Sequence, residues 1–367
     1  MMFDNAVTSF EQHTIMIMAG GTGGHIYPAM AVADYLKSHN WRVVWLATEG
    51  GMENRLIIDK PYLIAKIQMQ GVRGKGVLGW LKLPYRLAVA FKQTLSAMRE
   101  HQPHVVLGMG GYAAFPGGII ARLLGKPLII HEQNSIAGLT NKVLSVFASR
   151  VLVAFPSVLP EQGILVGNPV RQTLSELDPP EQRYAQRKGK LKLLVVGGSL
   201  GATALNDVIP KALAQLPVNV RPEVIHQAGE KHIEAMSAHY EALGVEAVTR
   251  AFIQNMPDVY AWADLVICRA GALTIAEIAC VGVASVLVPF PFAVDDHQTT
   301  NAQYLADSGA AMLVPQTEFD VAKVIEILQT FSREKCLQMA VNAKKLAKPE
   351  ATQTVAKICM ECAIAGV

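Results

Sequence analysis

A chain of 367 residues with 51% hydrophobic and 17% charged residues can bury two cores, which excludes a disordered protein. A net charge of +3 is too small for a nucleic-acid-binding surface, so no nucleic-acid partner is expected. Of five cysteines, Cys359 and Cys362 form a lone CxxC with no second pair, which suits buried thiols in a reduced compartment better than a metal site.

The opening residues carry acids and no basic n-region ahead of an apolar run, so no signal peptide is expected. The apolar run Ile278–Val294 contains Gly282, Pro289 and Pro291, and is read as helix end, buried strand and loop rather than a membrane span. Apolar strand-like runs alternate with helical-period segments along the chain. In the first half they read TIMIMA, RVVWLA, YLIAKI, HVVLGM, PLIIHE and RVLVAF; in the second, KLLVVG, EVIHQA, DLVICR and ASVLVP. Helices are expected between them, at Ala204–Leu216 and Ala272–Cys280 among others. The pattern predicts an α/β protein with two Rossmann-like, doubly wound domains facing a central cleft. The expected division is 1–168, 169–348 and a last helix, 349–367, returning to the first domain across Pro349. The segment from Ile164 to Arg183, rich in Gly, Pro and charge, reads as hinge and linker.

Strand, glycine loop and helix occur twice. In TIMIMAGGTGGHIYPAM the loop delivers His25 at the helix start; in KLLVVGGSLGA the matching loop has none. The first loop fails as a dinucleotide fingerprint, because Ile26 stands where the third glycine belongs, although Glu49 mimics the ribose carboxylate. It does offer permissive backbone and a helix N-terminus beside an imidazole that can take a proton from an attacking hydroxyl. A second glycine loop, Gly108–Gly118, and the segment from His131 to Lys142 add Glu132 and Asn134 at the same sheet edge. In the second half, Ser199 follows paired glycines, and Gly271–Glu277 opens a helix with small residues, a hydroxyl on Thr274 and a carboxylate one turn on. Those groups suit a diphosphate and ribose hydroxyls, and Asp295, Asp296, His297 and Gln298 suit sugar hydroxyls. No two aspartates are separated by one residue, so the DxD pair that would hold Mg²⁺ on a nucleotide diphosphate is absent. No metal and no cofactor are expected, and a departing diphosphate would be met by helix N-termini and loop amides. The His-bearing loop is thus expected to serve an acceptor and the His-free loop a nucleotide.

Together and in order, GGTGGH, GGY..FPGG, HEQN..AGLTNK, VGNPVR, GGS.GA, AGALTIAE and DDHQ..NA resemble the MurG family, from about Thr14 to the last helix. The resemblance implies a peptidoglycan glycosyltransferase moving N-acetylglucosamine from UDP-GlcNAc to a lipid-linked MurNAc-pentapeptide (lipid I), with inversion, on the cytoplasmic face of the bacterial inner membrane. It implies donor binding by Thr22, Gly23, Gly24, Asn134, Arg171, Ser199, Ile253, Ala272, Leu273, Thr274, Ile275, Ala276, Glu277 and Gln298. Uracil would lie near Ile253, ribose at Glu277, diphosphate at Ser199 and Thr274, and sugar hydroxyls at Gln298. His25 and Glu132 become candidate catalytic groups, with His25 preferred. Leu200, Ala114 and Phe292 stand where the family pattern commonly has glutamine, serine and a polar residue. A UDP-sugar epimerase or a non-catalytic nucleotide-sugar module are the rival readings. From Lys60 to Arg99 there are eight basic residues and no acid. Its middle, about 73–91, mixes Arg73, Lys75, Lys82 and Arg86 with Leu78, Trp80, Leu81, Leu83 and Tyr85, and is expected to dock on an anionic membrane surface.

Overall fold

The computed structural model describes residues 12–69, 82–156, 158–159, 161–198 and 201–365. Ser199, Leu200 and residues 70–81 of the basic segment, including Arg73, Lys75, Leu78, Trp80 and Leu81, lie outside them.

Strands Thr14–Met18 (β1), Arg42–Thr48 (β2), Leu63–Ile67 (β3), Val105–Gly108 (β4), Leu128–Glu132 (β5), Arg150–Val153 (β6) and Gly163–Leu165 (β7) form one sheet. Its order is β3-β2-β1-β4-β5-β6-β7, with every pairing parallel. Lys192–Val196 (β8), Glu223–Gln227 (β9), Val248–Arg250 (β10), Leu265–Cys268 (β11), Ala284–Leu287 (β12) and Ala311–Leu313 (β13) form a second parallel sheet in the order β10-β9-β8-β11-β12-β13. β1, β4, β5, β11 and β12 are buried at every residue, which is why they read as continuous apolar runs rather than alternating ones.

Three strands escaped the sequence reading: β7, β10 and β13, each three residues long at or near a sheet edge. β7 carries two exposed residues and runs into the segment taken as a linker, so its pairing with β6 rather than its own sequence makes it a strand.

In both sheets the order in which successive strands are added reverses at the central pair, β1/β4 and β8/β11. That reversal opens a crevice beyond the carboxyl ends of those strands, where ligands of such sheets bind. The glycine loops after β1, β4, β8 and β11 all lie at these crevices. A single apolar cluster runs from Met16 and Val106 in the first sheet through Val170 and Leu174 to Leu194 and Val266 in the second. The helix Ala351–Ala365 returns to the first sheet, burying Val355, Ala356, Cys359 and Cys362 with Ile26, Val32 and Leu36 of the helix Gly23–Ser38. Cys359 and Cys362 are therefore one buried helix face with free thiols, and burial pushes both thiols above their ordinary range.

Candidate functional site

The helix Gly23–Ser38 starts at Thr22, whose extended backbone (φ −132°) caps it without a side-chain bond and with no acid in its first turn. Trp45, fully buried on β2, donates its indole N–H to the Ala19 carbonyl at 3.0 Å and anchors the lip of this loop. The loop after β4 closes on it from the side. Gly110 and Gly111 have φ of +96° and +88°, and a Cβ on either would meet the His25 ring at 2.9 Å or the Gly20 carbonyl oxygen at 2.4 Å. Only glycine satisfies both the backbone and the space. The GGY pattern is thus what seats His25.

His25 Nδ1 lies 2.9 Å from Gln133 Oε1. Gln133 is buried, and its Nε2 donates to the His131 carbonyl and approaches His131 Nδ1, both at 3.1 Å. His131 Nε2 in turn lies 2.9 Å from the Gly167 carbonyl oxygen. Burial holds the His131 imidazole well below its ordinary value, at about 4, so it is neutral near pH 7.

Glu132 is placed differently from His25. It is 2% exposed, Oε1 accepts from the Asn134 amide at 3.0 Å, and Oε2 accepts from the Gly138 amide at 3.0 Å and Asn141 Nδ2 at 2.9 Å. A carboxylate surrounded by three such donors fastens the loop that carries Gln133, Asn134 and Ser135.

Asn134 and Ser135 meet the second sheet's side of the cleft. Ser135 donates from its amide and hydroxyl to Asn301 Oδ1 at 2.9 and 2.7 Å, and Asn301 Nδ2 donates to the Ala270 carbonyl at 3.2 Å. Asn168, in the chain between the sheets, donates to both the Gln133 and Ala272 carbonyls, at 3.0 and 3.2 Å. One amide therefore touches the His25 partner loop and the first turn of the helix Ala272–Val281.

That helix begins after Gly271, again with no side-chain cap and no acid in its first turn. Ala272, Ile275 and Glu277 are buried, while Leu273, Thr274 and Ala276 are partly exposed. Glu277 Oε2 accepts from Tyr260 O–H at 3.1 Å, and Oε1 lies 3.6 Å from Arg171 Nη2. Burial raises the Glu277 carboxyl above the ordinary carboxylate range, opposed by the Arg171 guanidinium and the Tyr260 hydroxyl. The Tyr27 phenol, one residue pair along from His25, feels the same two charges: burial raises it most, Arg171 lowers it and Glu277 raises it further. Arg171, Glu277 and Tyr27 thus form one group across the two halves.

Ile253 is buried, and its amide donates to Gln227 Oε1 at 2.9 Å, while Gln227 Nε2 donates to the Gly198 carbonyl at 3.0 Å. Gln298 Oε1 accepts from the Phe290 amide at 3.0 Å. Asp295 and Asp296 are exposed residues in the left-handed region ahead of the helix His297–Ala306. Of the three departures from the family pattern, Ala114 is buried and Phe292 is 81% exposed. Sequence reading missed Gln133, Asn168, Gln227, Tyr260 and Asn301, all buried or half-buried groups that hold a named residue. HEQN..AGLTNK, VGNPVR and DDHQ..NA contain three of them, Gln133, Asn168 and Asn301, without marking them out.

The family models for the glycosyltransferase family 28 N-terminal and C-terminal domains match residues 15–153 and 192–356. A relative from Nitrosospira multiformis, named UDP-N-acetylglucosamine--N-acetylmuramyl-(pentapeptide) pyrophosphoryl-undecaprenol N-acetylglucosamine transferase, is 54% identical over 95% of this chain and 98% of its own. A protein of the same name from Paraburkholderia phymatum is 52% identical over 98% and 97%. The crystal structure of Acinetobacter baumannii MurG superposes with a TM-score of 0.83 at 42% identity, over 95% of this chain and 99% of that one. A UDP-GlcNAc 2-epimerase from Neisseria meningitidis, with a TM-score of 0.64 at 12% identity over 95% and 100%, shares the fold.

Proposed function

The chain belongs to the MurG family within glycosyltransferase family 28, and on that premise we propose that it transfers N-acetylglucosamine from UDP-GlcNAc to the lipid-linked MurNAc-pentapeptide, converting lipid I to lipid II. The observation that carries the mechanism is the asymmetry of the two strand–glycine-loop–helix units: the one after β1 presents His25, while the one after β8 carries no histidine and stands beside the helix Ala272–Val281 with Thr274 and Glu277. Residues 1–168 serve the acceptor, 169–348 the donor, and 349–367 tie the last helix back to the first half.

In this reading His25 removes the proton from the acceptor sugar's hydroxyl as its oxygen attacks the anomeric carbon of GlcNAc. The bond to the β-phosphate oxygen breaks in the same displacement, and UDP leaves with inversion. Its growing charge lies at the N-terminus of the helix Ala272–Val281, where the helix dipole and Thr274 favour an anion, and the family resemblance adds Ser199 to the diphosphate contacts. Glu277 accepts from the ribose hydroxyls, uracil lies near Ile253, and Gln298 and Asn134 contact the sugar. Thr22, Gly23 and Gly24 line the seam between donor sugar and acceptor, with Arg171 beside Glu277. Glu132 holds its loop; three donors on its oxygens favour that role over proton transfer. Labelled UDP-GlcNAc incubated with and without a lipid I analogue should give labelled glycolipid only with the acceptor. Epimerised sugar or UDP release without acceptor would favour the epimerase reading instead.

Because the sequence lacks a DxD pair, turnover is expected to survive EDTA at close to its untreated rate. Loss on chelation that Mg²⁺ restores would contradict stabilisation of the leaving group by helix N-termini alone.

We also place the protein at the cytoplasmic face of the inner membrane, peripherally. Among the described residues no helix is long and apolar enough to cross a membrane. On the helix Leu83–His101 the side chain of Tyr85 is 74% exposed, with Lys82 just ahead of it also exposed. A basic residue near an anionic surface contributes about 1 kcal/mol, so four of them with an inserted aromatic give reversible attachment. Flotation with anionic vesicles should fall steeply with salt and with Lys82→Glu/Arg86→Glu, while activity on a water-soluble acceptor persists. Salt-insensitive flotation, or none, would remove this surface from the account.

A further inference from the structure

His25 can act as a base through only one nitrogen at a time, and which one is decided behind it. Gln133 Nε2 lies 3.1 Å from the His131 carbonyl oxygen. A carbonyl only accepts, so the amide's NH₂ end must point there. The opposite end, Oε1, is then the atom 2.9 Å from His25 Nδ1, and an amide oxygen also only accepts. His25 Nδ1 must carry the proton. A second, independent constraint agrees. His131 Nε2 faces the Gly167 carbonyl at 2.9 Å and must donate to it, so His131 Nδ1 is an acceptor. The second N–H of Gln133, 3.1 Å away, meets it.

We propose that Gly167, His131 and Gln133 form a buried relay that fixes His25 as its Nδ1–H tautomer and so leaves the Nε2 lone pair as the base. The proposal rests on His25 being the base of the reaction. His131 and Gln133 touch no reacting atom in this account; they are positioning residues, as the outer hydrogen-bond partners of catalytic and metal-bound histidines are. The chain explains why a fully buried histidine stands next to the acceptor loop. Its low basicity, at about 4, keeps it neutral and its Nδ1 an acceptor throughout the physiological range. It also explains the backbone at Gly167. There φ is +85° and a Cβ would meet Lys348 Cβ at 2.4 Å, so the carbonyl that starts the relay sits on a residue only glycine can fill.

Free imidazole side chains favour the opposite tautomer, with the proton on Nε2, so the proposal is readable without any mutation. In the unmodified protein labelled with ¹⁵N-histidine, above the pH of imidazole titration, His25 should show a protonated Nδ1 and a pyridine-like Nε2. His131 should show a protonated Nε2 and stay neutral well into the acid range. Gln133→Leu should return His25 to the Nε2–H form and lower kcat by about 10–10²-fold, within the span of general-base effects, with the KM for UDP-GlcNAc unchanged. Gln133→Glu restores an acceptor for Nδ1–H, although its second oxygen then faces the His131 carbonyl and Nδ1 where the amide had donated, so its Tm should fall. It should recover turnover relative to Gln133→Leu and move the acidic limb of the pH–rate profile to higher pH, because a carboxylate favours the imidazolium. A merely structural glutamine would give no such shift. Protonated Nε2 on His25 in the unmodified protein overturns the relay, even where His25→Ala is inactive. Near-normal turnover of His25→Ala instead removes the base reading itself, whatever the tautomer.

Discussion

His25→Ala is expected to lose about 10²–10⁴-fold in turnover, the span of general-base contributions, while UDP affinity stays close to that of the unmodified protein. The two halves of that expectation have separate structural grounds. The imidazole belongs to the first glycine loop and is walled by Gly110 and held by Gln133. The nucleotide groups stand on the second sheet, at the start of the helix Ala272–Val281 and around Ile253. Removing the ring leaves Gln133 Oε1 without its partner in a buried position, which costs about 1–3 kcal/mol of stability. A modest fall in Tm should therefore accompany the loss, and folded protein must be compared with folded protein. Steady-state kinetics with UDP titrations on the same preparations checks it. Turnover within a few-fold of normal would return the proton to Glu132 or to solvent. Parallel loss of UDP affinity would mean that the two loops do not divide the labour.

The second large effect is expected at Glu277. If its carboxylate accepts from both ribose hydroxyls, Glu277→Ala forfeits charge-assisted hydrogen bonds worth about 1.5–3 kcal/mol, or roughly 10–10²-fold in UDP-GlcNAc affinity. The side chain is buried between Tyr260 O–H and Arg171, so the truncation also orphans a buried phenol and frees a guanidinium. Loss of affinity alone would thus be ambiguous. The discriminating quantity is the ratio between UDP-GlcNAc and its 2′-deoxy and 3′-deoxy analogues. Glu277→Ala should weaken the natural donor more than either analogue and draw the ratios toward one. Tyr260→Phe, which leaves the carboxylate in place, should preserve them. Unchanged ratios in Glu277→Ala would make this residue a brace for Arg171 and nothing more.

The architecture was legible because most of the longer strands are nearly continuous apolar runs, and those after which the site is built, β1, β4, β8 and β11, lead into glycine loops. Only strands too short to carry a pattern of their own, β7, β10 and β13, needed their neighbours to form. His25 and Glu277 were legible for a related reason: each follows a glycine turn at the start of a helix, and that local geometry survives translation from sequence. Their partners were not. Gln133 is an unremarked letter between Glu132 and Asn134, and nothing in its neighbourhood says that its amide bridges His131 and His25. Arg171 reaches Glu277, and Asn301 reaches Ser135, across the two halves, where no spacing rule applies. Glu132 shows the converse difficulty. A carboxylate at the end of a central strand reads as an acid or base, and only its three donors mark it as a fastening for the loop.

The central claim is a single displacement in which a His25-activated hydroxyl attacks the donor's anomeric carbon while UDP departs. It is tested most directly by the stereochemistry of the new bond. The disaccharide released from the glycolipid product, made from UDP-α-GlcNAc and a lipid I analogue, should show by proton NMR the large axial–axial coupling of a β-linked GlcNAc anomeric proton. An α-linked product, with its small coupling, would require two displacements or a different face of attack and would contradict the account.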